Sequence, residues 1–171
     1  MSAFVEAFVR AHADWVVPIA FVLTFLKSLA FVSLVVPTTL VVAIIVALMG
    51  IADASLWPVV VAVAIGAALG DWVSYAIGWR LKHRVHDWWP FTRYPDLMPR
   101  GERFFRRWGA MSVVLCRFFS PLRATVPLLC GIFEMRPLVF QLANWPSAFL
   151  WGGVMLWFGN AGMALLRHLF G

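Results

Sequence analysis

The chain has 171 residues, of which 63% are hydrophobic and only 13% are charged, and its formal net charge is +6. An average soluble domain is about 25% charged, so the composition argues against a soluble enzyme or a nucleic-acid-binding protein. Disordered chains are poor in the hydrophobic residues that dominate here, which excludes disorder. The composition predicts an all-α integral membrane protein with a single membrane domain over residues 1–171.

The first predicted membrane segments lie between Trp15 and Ala52, where Lys27 is the single charged residue. Pro37 interrupts this stretch beside two threonines. Proline removes a helix hydrogen bond, and irregular backbone at membrane depth survives only where protein or water satisfies it. We therefore interpret the interruption as a re-entrant hairpin. A turn near residues 50–53 is expected to follow it.

The next predicted element is a long helix, roughly residues 57–79, in which only Asp71 is charged. After it comes a basic segment, residues 80–107, which holds 8 of the 14 Lys and Arg residues. By the positive-inside rule this segment is expected to be a cytoplasmic loop. Its second part, residues 97–108, has the spacing of an amphipathic helix lying on an anionic leaflet. A specific lipid-binding role and a general anchoring role both remain open for it.

The second half begins with an apolar stretch, residues 108–132, whose only charged residues are Arg117 and Arg123. Pro121 lies between these arginines and predicts a second re-entrant hairpin, for the same reasons as the first. A turn near residues 131–136 is expected next. A long helix over about residues 147–166 then completes the predicted elements.

The order of elements occurs twice. Pro37 and Pro121 are 84 positions apart, and each break is followed by a short arm, a turn and a long helix. Half-repeats are expected at about 15–79 and 108–168, joined by the basic loop. The predicted fold is an inverted repeat of two re-entrant helical hairpins plus long transmembrane helices, an architecture that places a transport site at the paired breaks.

Four ionisable residues fall inside apolar stretches: Lys27, Asp71, Arg117 and Arg123. Each costs about 2.5–3.5 kcal/mol at mid-bilayer on insertion scales, so such residues are kept when they are paired, hydrated or functional. Three positive charges face one negative charge, and an anionic ligand would balance the excess. Arginine presents a planar fork that suits phosphate. Arg117 and Arg123 are therefore the candidate substrate-binding residues.

Alternatives remain open for each interior charge. Arg117 is also compatible with snorkelling to the membrane interface. Asp71 is compatible with a structural ion pair to an arginine or with a proton-carrying role. Lys27 is compatible with snorkelling or with pairing to Asp71. The histidines do not form a credible metal set, and no metal or other cofactor is expected.

Three blocks of residues, together with several positions that follow them, carry a family resemblance. They are Phe25-Leu26-Lys27-Ser28-Leu29-Ala30-Phe31 leading to Val35-Val36-Pro37-Thr38-Thr39; Gly66-Ala67-Ala68-Leu69-Gly70-Asp71 with Tyr75 and Gly78; and Arg117-Phe118-Phe119-Ser120-Pro121-Leu122-Arg123 with Pro127, Gly131, Asn144 and Trp151. These blocks resemble the DedA family of inner-membrane proteins in the VTT-domain superfamily, whose eukaryotic relatives include lipid scramblases.

The resemblance implies two opposed re-entrant hairpins and transport of lipid-linked phosphate, such as undecaprenyl phosphate or phospholipid. It also implies functional roles for Arg117 and Arg123. The chain departs from the family at two positions that are acidic in its relatives, where it carries Lys27 and Thr39. If those acids couple transport to protons, this chain couples through Asp71, does not couple, or transports something different.

The sequence thus predicts a flippase- or scramblase-like transporter that moves an anionic lipid head group between leaflets of the bacterial inner membrane. The alternative is a proton-linked ion transporter for envelope or pH homeostasis, with Asp71 on its path. An enzyme is not expected, since serine-nucleophile and zinc-protease motifs are missing from the sequence. The expected partners are membrane lipids and not nucleic acid, and the oligomeric state is left open.

Overall fold

The computed structural model describes residues 13–29, 37–52, 54–82, 97–117 and 120–170, and at residues 13, 97–102, 106, 120–124, 160 and 163–170 it describes the backbone alone. All regular structure in these ranges is helical, as the composition predicts. A 3₁₀ turn, Ala13–Trp15, precedes six α-helices: α1 Val16–Ser28, α2 Thr38–Ala52, α3 Leu56–Leu81, α4 Leu97–Cys116, α5 Ser120–Ile132 and α6 Pro137–Phe170.

Helix α3 is a long, strongly apolar helix. Its 26 residues have a mean hydropathy of 1.8 in their most apolar part, and at 1.5 Å per residue they extend about 39 Å. That length exceeds a hydrocarbon core of about 30 Å. In the described part of the chain α3 alone meets both the length and the composition needed to cross a membrane, while α1 and α2 are apolar but shorter.

Close backbone packing fixes α3 between α1 and α5. A Cβ atom added to Gly66 would lie 2.6 Å from the carbonyl oxygen of Phe21 in α1. On the other side, Gly78 and Gly131 face each other, and a Cβ atom on either would overlap the backbone of the opposite helix. Small residues at these contacts let membrane helices approach to backbone distance, so α3 forms the centre of the fold.

Helices α3 and α6 run antiparallel. The pairs of residues that meet across the two helices are Val63 with Gly152, Ala68 with Asn144, and Tyr75 with Phe140. One apolar cluster surrounds the first part of α3 and a second surrounds Tyr75, and a layer of buried alanines lies between them. Asp71 therefore lies at the junction between the alanine layer and the second cluster.

The packing partners repeat between the two halves of the chain. Helix α1 packs on α3 as α4 packs on α6, α1 meets α2 as α4 meets α5, and α2 packs on α6 as α5 packs on α3. Exchanging α1, α2 and α3 with α4, α5 and α6 thus leaves this set of packed pairs unchanged. The two halves of the chain thus share one pattern of packed pairs, and the inverted repeat itself stays a prediction from sequence.

The second interruption lies earlier than the sequence prediction placed it. Helix α4 ends at Cys116 and α5 begins at Ser120, so Pro121 stands in the first turn of α5 and does not break the helix. The first turn tolerates proline because its N–H groups have no intrahelical partner. Pro37 immediately precedes α2, and since residues 30–36 lie outside the described part of the chain, the first hairpin stays a prediction.

The last helix also differs from its prediction, because α6 begins at Pro137, ten residues before the expected start at 147. Pro146 lies inside α6 without ending it, as neighbouring helices allow in membrane proteins. The predicted turn near 131–136 is confirmed. It is closed by a 3.0 Å hydrogen bond from the Met135 N–H to the Cys130 carbonyl, and Glu134 has a φ of 56°.

Candidate functional site

The site centres on Arg117, which directly follows α4 and points into the interface between α3 and α6. Its side chain is buried, with a residue exposure of 3%. Its Nη2 lies 2.5 Å from Oδ2 of Asp71 and forms a buried salt bridge. The same nitrogen donates hydrogen bonds to Oδ1 of Asn144 and, at 3.3 Å, to the Asn144 backbone carbonyl. Residues from the end of α4, from α3 and from α6 therefore converge on one guanidinium.

Asn144 holds this arrangement together. Its Nδ2 donates a 2.9 Å hydrogen bond to the Ala68 carbonyl on α3, and its Oδ1 accepts from Arg117. The Asn144 carbonyl also accepts a 3.0 Å hydrogen bond from the Ser147 hydroxyl. Since a carboxamide has one acceptor end and one donor end, Asn144 is matched to both of its neighbours and fixes how far α6 can slide along α3.

The pair of Asp71 and Arg117 confirms one of the alternatives drawn from sequence, that Asp71 is an ion-pair partner of an arginine. The snorkelling alternative for Arg117 is not what the structure shows. The Asp71 residue is 2% exposed, and burial of a single unpaired charge is costly in protein interiors. Pairing offsets part of the cost of burying the two groups inside the fold.

One end of the guanidinium does not take part in these contacts. Nη1 of Arg117 is buried and has no hydrogen-bond partner among the described residues. Arginine carries five N–H donors in a rigid plane, so the terminal nitrogen opposite Asp71 and Asn144 retains donor capacity. Arg117 also adjoins the interruption between α4 and α5.

Arg123, the second candidate substrate-binding residue, is the fourth residue of α5. Its side chain lies outside the described part of the structure. The backbone places it in the first turn of a helix, where free N–H groups and the helix dipole favour an anion. A joint role with Arg117 therefore stays a prediction from sequence.

Lys27 lies in the protein interior and not at a lipid-facing position. It is 3% exposed, which the snorkelling interpretation does not predict. With Thr24 and Thr38 it lines a cavity of about 10 Å³ between α1, α2, α3 and α6, and the other described residues around this cavity are apolar. Thr38 carries a buried hydroxyl with no hydrogen-bond partner among the described residues. Thr39 is exposed and does not line this cavity.

Asn144 is the site residue that reasoning from charge missed, since it carries no charge and entered the sequence analysis only through the family resemblance. A signal was present, because an amide inside the uncharged run of residues 137–166 needs an interhelical partner at membrane depth.

Tyr75 lies close to the site and is also held in place by two contacts. Its hydroxyl donates a 2.6 Å hydrogen bond to the Met135 carbonyl, and its ring stacks on Phe140 at a centroid distance of 4.5 Å.

Comparison with known proteins gives relatives that cover most of this chain. Inner membrane protein YabI of Escherichia coli (strain K12) is 30% identical over 151 residues, which are 88% of this chain and 59% of that protein. Membrane protein BU139 of Buchnera aphidicola subsp. Acyrthosiphon pisum (strain APS), named as uncharacterized, is 22% identical over 161 residues, 91% of this chain and 63% of that protein. Inner membrane protein YghB of Escherichia coli (strain K12) is 30% identical over 105 residues, 61% of this chain and 48% of that protein.

The chain thus spans between about half and two thirds of the length of these curated relatives. No solved structure matches it. The model of the VTT domain matches residues 34–161, about three quarters of the chain, and this range includes Asp71, Arg117 and Asn144. The family resemblance seen in the sequence is therefore confirmed, and the chain belongs to the VTT-domain (DedA) family of membrane proteins.

Proposed function

We propose that this protein is a membrane transporter that moves a lipid with an anionic, phosphate-bearing head group, such as polyprenyl phosphate or phospholipid, between leaflets. The observation that carries the proposal is Arg117, a buried arginine at a helix interruption whose Nη1 has no hydrogen-bond partner among the described residues. A phosphate oxygen is the acceptor that best fits an arginine donor.

Asp71 adjusts how strongly Arg117 can hold an anion. The carboxylate occupies Nη2, so a phosphate that binds at Nη1 shares one positive charge with Asp71. Sharing weakens the binding of the head group. Weak binding suits transport, since a ligand that is held too tightly is not released on the other side. The bound state is then reached by a small shift of Arg117 away from Asp71.

The proposal also includes the arrangement of the helices in the membrane. Equivalent helices of an inverted repeat run in opposite directions, and the antiparallel arrangement of α3 and α6 supports such a repeat, as does the repeated set of packed pairs. We infer two re-entrant hairpins at the interruptions before α2 and before α5, and a multi-pass topology. The basic segment 80–107 is inferred to be cytoplasmic.

The relatives and the composition support a proposal about location and class. Two relatives are named as inner membrane proteins of Escherichia coli, and we place this chain in a bacterial inner membrane as well. The proposed partners are membrane lipids and not nucleic acid, and the protein acts as a transporter and not as an enzyme.

The decisive experiment measures leaflet translocation of fluorescent phospholipid and polyprenyl phosphate by purified protein in liposomes. Arg117→Gln by itself leaves the buried Asp71 carboxylate without its arginine. The informative variant is therefore the double substitution Asp71→Asn with Arg117→Gln, which leaves the interface neutral. We expect this variant to insert normally and to lose translocation. Lys82→Gln with Glu134→Gln neutralises a surface ion pair and serves as the charge-matched control. Full activity in the double variant would refute a substrate-binding role for Arg117.

A second candidate function, a proton-linked ion transporter, is favoured by one observation. Asp71 is a buried carboxylate inside a helix long enough to cross the membrane, which is the placement that proton relays use. Asp71→Asn should then abolish proton flux in liposomes under an imposed pH gradient. Unchanged flux in that variant eliminates the proton-linked alternative and leaves the lipid transporter untouched.

A further inference from the structure

The first part of α4 presents a cleft that the transport site does not use. Among the residues whose side chains are described, Arg103, Phe104, Arg107 and Trp108 line it. The two arginines are four positions apart and so are the two aromatic residues, so each pair lies along one face of the helix. The rings of Phe104 and Trp108 have a centroid distance of 6.4 Å, and the two residues are 48% and 46% exposed. A cationic strip thus runs beside an apolar strip on the outside of the protein.

The opposite side of the same helix is anchored to the fold. Phe105 is 8% exposed and its ring lies 5.3 Å from that of Phe133, in the turn before α6. This contact fixes the rotation of α4 about its axis. The cleft is therefore held facing outward by packing on its far side.

The chemistry of the cleft matches one ligand better than others. Arg103 and Arg107 are exposed, and guanidinium groups four positions apart on a helix present neighbouring donors that suit phosphate oxygens. The neighbouring aromatic pair needs an apolar partner, since large exposed rings are typical of the membrane interface and not of a water-facing surface. A phosphate joined to an apolar tail satisfies both strips together.

The backbone at Gly109 gives the cleft its position. Gly109 has a φ of 45° and a ψ of −126°, which bends α4 at this point. A Cβ atom there would meet nothing within 4 Å, so the glycine serves the backbone conformation and not packing. Ser112 donates a 2.7 Å hydrogen bond to the Gly109 carbonyl just after the bend. The bend separates the amphipathic part of α4 from the apolar part that ends beside Arg117.

We propose that the cleft formed by Arg103, Phe104, Arg107 and Trp108 is a docking site for the phosphate-bearing head group of an anionic lipid at the membrane surface. The arginines bind the phosphate, and the rings contact the first apolar atoms of the lipid. The bend at Gly109 lets this part of α4 lie along the leaflet while the remainder enters the membrane. Docking does not depend on later transport of the lipid, so it stands apart from the proposed function.

The test measures association of spin-labelled lipids with the full-length protein in liposomes by electron paramagnetic resonance. The ratio of the association constants of labelled phosphatidylglycerol and phosphatidylcholine reports selectivity for the anionic head group. We expect Arg103→Gln with Arg107→Gln to lower this ratio by at least about threefold. The matched control, Arg80→Gln with Arg136→Gln, removes the same charge at two other exposed arginines and should leave the ratio unchanged.

Three outcomes would overturn the proposal. An unchanged ratio in the Arg103 and Arg107 variant means that the cleft does not select anionic lipid. An equal fall in the control means that general basic charge accounts for the selectivity. Displacement of labelled phosphatidylglycerol by millimolar inorganic phosphate means that the cleft takes free phosphate and not lipid. This assay does not measure translocation. If the proposed transport role of Arg117 is refuted, the lipid-association result can therefore still be interpreted.

Discussion

The ion pair of Asp71 and Arg117 makes a quantitative prediction about stability. Removing either partner alone leaves the other charge buried in an interface where each residue is at most 3% exposed. Loss of one partner of a buried pair costs about 3–5 kcal/mol. A similar figure follows from Coulomb's law, since charge centres about 4 Å apart at an effective dielectric constant of about 20 attract by about 4 kcal/mol.

We therefore expect Asp71→Asn and Arg117→Gln each to lower the free energy of unfolding by about 3–5 kcal/mol. The double variant removes both charges and keeps polar groups of similar shape. It should cost much less than the sum of the two single changes, with a coupling energy of about 3 kcal/mol. The measurement is unfolding of the purified protein in mixed micelles by titration with dodecyl sulfate, arranged as a double-mutant cycle.

A surface ion pair supplies the control. Lys82 and Glu134 form a salt bridge of 2.9 Å, with side chains 21% and 53% exposed. Exposed pairs contribute about 0–1 kcal/mol, so Glu134→Gln should change stability by no more than that. The reasoning fails if the single changes at Asp71 and Arg117 cost no more than Glu134→Gln, or if the double variant costs the full sum of the singles.

Three further changes test the packing around the site by the same unfolding measurement. Gly131→Ala places a methyl group against the backbone of α3 and should destabilise the protein by at least about 2 kcal/mol. The control is Gly153→Ala, whose added methyl group meets nothing within 4 Å and should be close to neutral. Equal effects of the two changes would contradict the close approach of α3 and α5. Tyr75→Phe removes the hydrogen bond to Met135 but keeps the ring, and should cost about 1 kcal/mol, a loss that a purely aromatic role would not produce. Asn144→Leu removes the acceptor of Arg117 and the bond to α3, and should cost about 3 kcal/mol; a neutral result would show that Asn144 does not hold the two helices together.

Composition and charge placement were sufficient to predict the helical class and the central helix of this protein. Helix α3, predicted over about 57–79, spans Leu56–Leu81, because an uninterrupted apolar run leaves few alternatives. Asp71 was expected to pair with an arginine or to carry a proton, since a carboxylate at that depth is kept only with a partner or a function, and the structure shows the ion pair. The family resemblance was equally accessible, because the spacing of the two arginines around Pro121 is unusual in a membrane segment.

Details that depend on proline position or on three-dimensional proximity were not predictable from the same reasoning. Pro121 and Pro146 look alike in sequence, yet the first opens α5 and the second lies inside α6. Which of these happens depends on whether neighbouring helices satisfy the freed backbone groups. The burial of Lys27 could not be predicted for a similar reason, because it also depends on the neighbouring helices. A lysine one residue from a helix end is compatible with snorkelling until the packing of α2 and α6 encloses it.

The structure changes the reason for proposing an anionic ligand. Counted from sequence, three interior cations faced one interior carboxylate, and the imbalance alone suggested a negatively charged substrate. Asp71 proves to be committed to Arg117, so that arginine is already neutralised and overall charge no longer requires a ligand there. The argument moves instead to hydrogen bonding, because a planar guanidinium satisfied at Nη2 still presents Nη1 without a partner in the described part of the chain. We propose that a phosphate oxygen accepts this bond, because its charge is spread over several atoms and tolerates the nearby Asp71 carboxylate.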